Sequence, residues 1–163
     1  MRHVMSILVA NHTGVLARIA GLFSRRGYNI ESLSVGITED AQYSRITVSL
    51  NGDERVVEQI RKQVAKLVDV IEIMELPAEH SIYRELCLIK VESDAKIRSE
   101  IFGIANVFRA NIIDVNTQTI TVEMTGDLNK IEAFIELLKP YNILEIVRTG
   151  MTGIARGMEV MSK

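Results

Sequence analysis

The stretch NHTGVLARIAGLFSRRGYNIESLSV, residues 11–35, contains a turn, an amphipathic run and an alternating run in succession. The preceding run HVMSILVA is rich in β-forming residues, and the turn residues after it predict a first strand that ends near Ala10. A helix follows, because apolar side chains recur at helical spacing up to Gly27, a typical helix stop. The side chains expected to point inward are Val15, Leu16, Ile19, Ala20, Leu22 and Phe23.

Two further strands and a second helix complete the first half of the chain. Leu33, Val35 and Ile37 alternate with small residues, and ITVSL repeats the alternation beyond the polar tip TEDAQ, which predicts a hairpin with one buried face. Asp53 is the predicted N-cap of a second helix, and DVIEIMEL predicts a closing strand that stops at Pro77. The order β-α-β-β-α-β is ferredoxin-like, with two helices on one face of an antiparallel sheet.

The second half of the chain repeats this order. IAGLF at residues 19–23 matches IANVF at residues 104–108, and GDE from Gly52 matches GDL from Gly126. We therefore predict an α+β fold with two tandem ferredoxin-like domains. The predicted ranges are 1–77 for the first domain, 78–81 for a linker, 82–149 for the second domain and 150–163 for a tail that is mobile or docked on a partner.

Composition limits the class of protein. The chain has 163 residues, 47% of them hydrophobic, which is enough for a buried core. Its 19 basic and 21 acidic side chains give a formal charge of −2 and no basic field, so we expect no nucleic-acid partner. A single cysteine, Cys87, and the lack of an export signal or membrane span in the sequence predict a cytoplasmic protein without membrane attachment.

Residue types that carry catalysis or bind metals are present but scattered. His3, His12 and His80 have neither metal-ligand spacing nor a helical i, i+4 pair, and Cys87 lies in an apolar strand that predicts a packed thiol. We therefore expect no catalytic residue and no metal site. Acylphosphatases are an alternative on this fold, because the loop after their first strand grips phosphate with backbone amides and an arginine. The first arginine here is Arg18, inside the predicted helix, which favours binding over catalysis.

The loop after the first strand is the best candidate for a binding site. The first amides of a helix have no internal partners and carry the positive end of the helix dipole, which suits a small carboxylate. Gly14 would let a ligand approach the backbone, but it could equally serve only the tight turn.

The internal repeat provides a control for these two explanations. A shift of 85 residues carries three features of the first half onto other residue types, Asn11, Gly14 and Asn29 aligning with Lys96, Ser99 and Asp114. The loss favours a ligand site confined to the first half, unless the second loop has another geometry.

Gly14 and Asn29 are predicted at opposite ends of one subunit, because roughly a dozen helical residues separate them by about 18 Å. The second strand is an exposed edge in this fold, and edge strands invite pairing. Antiparallel pairing of this strand in two chains would place Asn29 of the partner subunit beside Gly14. The ligand would then lie across a symmetric dimer interface.

Four stretches carry a close resemblance to a known family: residues 11–35, SRITVSL at residues 44–50, LVDVIEI at residues 67–73 and FRANIIDV at residues 108–115. They resemble the regulatory small subunit of acetolactate synthase, also called acetohydroxyacid synthase. The pieces RTG and ARG near the C-terminus extend the resemblance over nearly the whole chain. The first half is similar to an ACT domain, the amino-acid-sensing version of this fold.

The resemblance implies an accessory chain without catalytic residues of its own. Such a chain binds the catalytic large subunit, raises its activity and confers feedback inhibition by valine in branched-chain amino-acid biosynthesis. It forms a homodimer through the ACT edge strand. Thiamine diphosphate, Mg and FAD are expected only in the catalytic partner, and no cofactor is expected in this chain. The alternative is a stand-alone amino-acid-sensing ACT protein that controls another enzyme.

The resemblance also implies which residues bind the effector valine. Asn11, Gly14 and Asn29 match the family's positions, and the residues that flank them are His12, Thr13, Val15, Leu16 and Ile30. His12 and Thr13 are expected to contribute backbone donors at most.

Overall fold

In the computed structural model, which describes residues 1–162, the chain forms two compact units. The first unit combines Met1–Tyr83 with the C-terminal segment that begins at Met151, and the second unit consists of Arg84–Gly150. These units differ from the predicted ranges, because the chain returns to the first unit after building the second. Residue 163, the last of the predicted tail, lies outside the described residues.

The first unit has the predicted order of elements. They are β1 Arg2–Ala10, α1 Val15–Arg25, β2 Ile30–Ile37, β3 Tyr43–Asn51, α2 Glu54–Val64 and β4 Val70–Glu75. The sheet is antiparallel with the strand order β2-β3-β1-β4. β1 is central, since Ile7 lies opposite Ile46 of β3 on one side and Ile73 of β4 on the other. β2 lies at one end of the strand order and is an edge strand, as predicted.

Both helices of the first unit pack on one face of this sheet. The buried side chains of that core are Met5, Ile7, Val9, Val15, Ile19, Leu22, Phe23, Ile46, Val48, Leu50, Val57, Ile60 and Val64. Burying one such side chain, for example Phe23, stabilises the fold by about 1.5 to 3 kcal/mol. The predicted inward orientation of Leu16 and Ala20 is wrong, since both are exposed. They lie about 100° around the helix from Val15 and Ile19, beyond the edge of the buried stripe.

The second unit repeats the order, which confirms the fold class. Its elements are β5 Ser81–Glu92, α3 Arg98–Phe108, β6 Asn111–Val115, β7 Thr119–Gly126, α4 Leu128–Leu138 and β8 Ile143–Arg148, with the strand order β6-β7-β5-β8. Cys87 is buried in this core, as predicted, and burial raises the pKa of its thiol. Phe108 and Phe134 pack nearby with ring centroids 5.2 Å apart.

The repeated Gly-Asp pairs begin equivalent helices. The Asp53 carboxylate accepts a hydrogen bond from the Val56 amide at 2.8 Å, which confirms the predicted N-cap of α2. Asp127 caps α4 in the same way, accepting from the Lys130 amide at 2.9 Å. Within residues 1–162, each helix falls short of the length and apolar character that crossing a membrane requires.

The C-terminal segment forms part of the first unit, where the sequence predicted a tail. Thr152–Ala155 form β9, which pairs with β5, whose first residues, 81–83, also belong to the first unit. The Met151 amide donates to Ser32 Oγ at 3.2 Å. The pattern GMTGIARG has weak periodicity, so this short strand was not visible in the sequence.

The second face of the first sheet is buried as a result. Ser6, Thr47 and Ser49 point away from the helices, yet no more than 2% of each residue is exposed. The hairpin was predicted with one buried face, whereas β3 is buried on both, because β9 lies over this side of the sheet. The predicted linker 78–81 is instead a short 3₁₀ helix, Ala78–His80, followed directly by β5.

Alanine substitutions at two glycines test how closely the C-terminal segment packs. A Cβ at Gly153 would lie 2.9 Å from Cδ1 of Tyr83 and 3.0 Å from Cδ1 of Leu76, whereas a Cβ at Gly103 in α3 would meet nothing within 4 Å. We expect Gly153→Ala to lower the free energy of unfolding by about 1 to 3 kcal/mol through overpacking. Urea denaturation measures the change.

Gly103→Ala is the matched control. The same methyl group is added in open space within a helix, where alanine is favoured over glycine, so the free energy of unfolding should rise by about 0.5 to 1 kcal/mol. Wild-type stability of the Gly153→Ala variant would contradict the close packing of β9.

Candidate ligand-binding loop

The loop between β1 and α1 is held on two sides. The Ala10 amide donates to the Asp69 carbonyl at 2.8 Å, and the Asn11 amide donates to the Gln42 carbonyl at 2.7 Å. The Asn11 side chain donates through Nδ2 to the Ala41 carbonyl at 2.8 Å. Asn11 is therefore anchored to the turn between β2 and β3, with its side-chain oxygen still available as an acceptor.

Gly14 precedes α1 in the left-handed region, with φ 90° and ψ −11°. Glycine adopts this conformation without the steric penalty that a Cβ introduces. The nearest atom to a Cβ built at Gly14 would be Nη2 of Arg18, at 3.7 Å. The turn itself therefore requires glycine, so this explanation of Gly14 holds whether or not a ligand binds.

The amides at the start of α1 are largely without partners. The Val15 amide makes a long contact of 3.4 Å with the His12 carbonyl, and the Arg18 amide donates to the Gly14 carbonyl at 3.0 Å. Within residues 1–162, no acceptor faces the amides of Thr13, Gly14, Leu16 and Ala17, and no side chain caps the helix. These donors and the helix dipole favour an anion at this position.

The corresponding loop of the second unit contains its own carboxylate. Asp94 Oδ1 accepts hydrogen bonds from the Lys96 amide at 2.7 Å and from the Ile97 amide at 3.0 Å, just before α3. These bonds favour the charged form and hold the pKa of the Asp94 carboxyl below its ordinary value. A side chain thus supplies the second unit with the anion that the first loop lacks.

Aligning the two loops by a constant shift of 85 residues is wrong. Asn11 and Ser93 are structural counterparts, since each donates its amide to a carbonyl in the turn of its own hairpin. These counterparts are 82 residues apart, and the first residues of α1 and α3, Val15 and Arg98, are 83 apart, so a shift of 85 fits neither the strands nor the helix starts. The residues that the shift selected, Lys96, Ser99 and Asp114, are therefore not counterparts. The second loop has another geometry, and its sequence alone does not discriminate between the explanations of Gly14.

Asn29 lies at the other end of the first unit, as predicted. It is exposed in the segment before β2. The first residue of β2, Ile30, is paired with Leu50 of β3, and Leu50 is paired on its other side with His3 of β1. The seven steps from His3 to Ala10 along β1 correspond to about 23 Å. One chain therefore does not bring Asn29 and the loop together.

The remaining predicted residues differ in exposure. Thr13 is exposed, and Leu16 is 43% exposed, so both are accessible to a ligand. Val15 is buried in the core and therefore offers only its amide. Ile30 is half-buried against the same core at the far end of the unit.

A cluster of charged side chains beside the loop was not predicted. Asp69, just before β4, has one carboxylate oxygen 2.8 Å from Nε2 of His12 and the other 3.2 Å from Nη1 of Arg18. The expectation that His12 gives the ligand at most a backbone donor stays a prediction, because the contact of its side chain is with Asp69. Arg18 reaches the loop from within α1. Within residues 1–162, His, Cys, Asp and Glu nowhere gather into a set of three that could hold a metal ion.

A non-local signal for this cluster was available in the strand order. In an antiparallel pair, the end of β1 lies beside the beginning of β4, so the residue before β4 comes next to the loop after β1. No local pattern near Asp69 indicates the contact, because its two partners lie in a different part of the sequence.

The fold and the loop define a class of protein. A β-α-β-β-α-β unit with an open glycine loop after its first strand is the arrangement of an ACT domain, and the family described as AHAS small subunit-like ACT domain matches residues 5–72. The family described as Small subunit of acetolactate synthase matches residues 84–157. The chain belongs to the acetolactate synthase small subunits.

Individual relatives agree over nearly the full length. The acetolactate synthase small subunit of Mycobacterium bovis is 50% identical over 155 residues, covering 95% of this chain and 92% of the relative. The probable small subunit of Archaeoglobus fulgidus is 49% identical over 157 residues, covering 96% and 98%. The crystal structure of the acetolactate synthase small subunit from Thermotoga maritima matches with a TM-score of 0.91 and 41% identity, covering 96% and 98%.

The hydrogen bonds to Asp94 in the second loop predict a low pKa for its carboxyl group. Asp94 should titrate below 3.8, the ordinary aspartate value, because two amides bond its charged form. Its contribution to stability is complete above the ordinary pKa and is lost as the pH falls through the lowered pKa of the folded state. Carboxyl chemical shifts followed by NMR measure this pKa, with Asp94→Asn identifying the resonance. A pKa at or above the ordinary value would contradict the capping bonds.

Proposed function

We propose that this small subunit binds valine in the loop between β1 and α1, activates a thiamine-diphosphate-dependent catalytic large subunit and makes its activity sensitive to valine. Membership of the family supports the catalytic large subunit as partner. The observation that carries the ligand proposal is the set of open amides around Gly14.

The second unit supports a carboxylate as the group recognised. There the chain places Asp94 against the amides before α3, whereas the first loop has no such side chain. The carboxylate of an amino acid could take the equivalent role in the first loop. It would gain hydrogen bonds and about 0.3 to 1 kcal/mol from the helix dipole.

β2 is suited to pair with a second copy of the chain. It is an edge strand on which 45% of Val35 and 67% of Ile37 are exposed, and a partner would cover these apolar side chains. Antiparallel pairing of β2 with its symmetry mate would carry Asn29 of the partner subunit toward the Gly14 loop. Asn11 and the partner's Asn29 would then orient the ligand's polar groups.

Selectivity and inhibition follow from general energetics. Leu16 and neighbouring apolar groups would hold the isopropyl group, and one methylene changes the affinity by about 1 to 3 kcal/mol, so leucine and isoleucine should bind more weakly than valine. Inhibition requires valine to bind one conformational state of the complex more tightly than another.

Gly14→Asp is expected to abolish the valine response. The new carboxylate would occupy the place proposed for the ligand's carboxylate, so valine affinity should fall at least about tenfold, or about 1.4 kcal/mol. Titration calorimetry measures the affinity. Acetolactate formation by a matching catalytic subunit, with and without valine, measures the regulation.

Gly14→Ala is the control, because it introduces the same strain at positive φ without a charge. Activation of the catalytic subunit should persist in both variants. Equal loss of valine binding in both would assign the effect to the turn, and absence of heat from the wild-type chain at millimolar valine would refute the proposal.

Mixed dimers test whether the site is shared between subunits. When Gly14→Asp and Asn29→Ala chains are combined, a heterodimer regains one site with wild-type Gly14 and wild-type Asn29. Random mixing should therefore restore about a quarter of the wild-type sites, counted by calorimetry. A site built within one chain would not use Asn29, so the Asn29→Ala chains would bind valine by themselves and mixing would add no sites.

A further inference from the structure

We infer, on the basis of the proposed function, that Arg18 contacts the carboxylate of the amino-acid ligand and that Asp69 is the positioning residue that holds Arg18 beside the loop. Neither residue is among those that the family resemblance assigns to the effector site. The ion pair between them joins α1 to the segment before β4.

Asp69 is more deeply buried than its two partners. Only 7% of it is exposed, and its carbonyl accepts the Ala10 amide at 2.8 Å, which ties its backbone to the end of β1. The side chains of Arg18 and His12 are 50% and 52% exposed. A buried carboxylate therefore forms the anchor, and the two more exposed side chains are arranged around it.

The guanidinium of Arg18 contacts the Asp69 carboxylate through one nitrogen and lies beside the loop with another. Nη1 lies 3.2 Å from Asp69 Oδ2, while Nη2 lies 3.7 Å from the position of a Cβ at Gly14. An arginine offers five N–H donors, so the bond to Asp69 leaves donors for another acceptor. Those donors lie next to the open amides of the loop, which together favour a carboxylate with two oxygen atoms.

The pairing also settles the charge balance of the loop. A buried Asp69 without partners would repel an anionic ligand, because both charges would share a poorly solvated region. His12 lies against Oδ1 of Asp69 and Arg18 against Oδ2, so each carboxylate oxygen has a partner that screens its charge from the loop. Asp69 in turn restricts a flexible arginine to one orientation before the ligand arrives, which lowers the entropy lost on binding.

The decisive experiment compares valine with valinol, which keeps the ammonium and isopropyl groups but has no carboxylate. Calorimetry on the full-length chain measures both affinities. Arg18→Gln should weaken valine binding about tenfold or more while it changes valinol binding by less than about twofold. A merely structural role for Arg18 would weaken both ligands equally, and this result would overturn the inference.

Arg61→Gln is the matched control. Arg61 also pairs with a carboxylate, that of Glu58 at 2.9 Å, but on the exposed surface of α2. Its loss removes the same charge and an arginine–carboxylate pair, so both affinities should remain at the wild-type value.

Asp69→Asn tests the positioning role. If Asp69 acts through Arg18, Asp69→Asn should weaken valine binding by itself but add nothing further to Arg18→Gln, because the two effects are not independent. If the loss of valine affinity in the double variant equals the product of the losses in the two single variants, this positioning role is overturned. Thermal unfolding of each variant identifies any loss that comes from misfolding, and Arg18→Gln then decides the inference alone.

Failure of the inference is distinguishable from failure of the proposed function. If the wild-type chain binds valine and Arg18→Gln binds it equally well, the loop is an effector site that does not use Arg18. If the wild-type chain binds neither ligand, the proposed valine site itself is refuted.

Discussion

The pairing of β1 with β4 is the constraint on which the geometry of the first loop depends. It places the end of one strand beside the beginning of the other, so that the Ala10 amide meets the Asp69 carbonyl at 2.8 Å. The chain must then turn away from the sheet and begin α1 within residues 11–14. A turn this short uses the left-handed conformation of Gly14, and its amides are left facing outward. The position of Asp69 beside the loop and the unpaired amides around Gly14 therefore both result from the pairing of β1 with β4.

The two units show how one fold supports different chemistry at equivalent positions. The second loop spans residues 93–97, and its Asp94 folds back onto the amides of Lys96 and Ile97 ahead of α3. In the first loop the residue after the counterpart Asn11 is His12, so the carboxylate is absent because another residue type occupies its position. The first loop leaves its amides open to solvent, whereas in the second loop the Asp94 carboxylate bonds them. The two sheets around these loops have the same strand order.

Local patterns in the sequence were sufficient for most of the fold. Val15 and Ile19 recur at helical spacing because one side of α1 faces a core, and Asp53 signals a helix start because its side chain can reach an amide three residues later. Leu16 was misassigned, since apolar character alone does not reveal how wide the buried stripe is. The contact between Asp69 and Arg18 depends on which strands are neighbours, and periodicity contains no information about such pairs. The strand β9 is too short to produce a periodic pattern at all.

The return of the chain to its first unit has a consequence for biosynthesis. When the ribosome has completed residue 83, the first sheet has all four of its strands, but the segment that covers its second face has not yet been made. Residues 84–150 must be translated first, which takes roughly 3 to 13 s at about 5 to 20 residues per second. During this interval the segment that packs against β1 and β3 is missing from the face of the sheet that carries the side chains of Val4 and Leu8, both buried in the finished protein. The nascent first unit therefore waits for a segment made last, whereas the second unit has its whole sequence available as soon as residues 84–150 emerge.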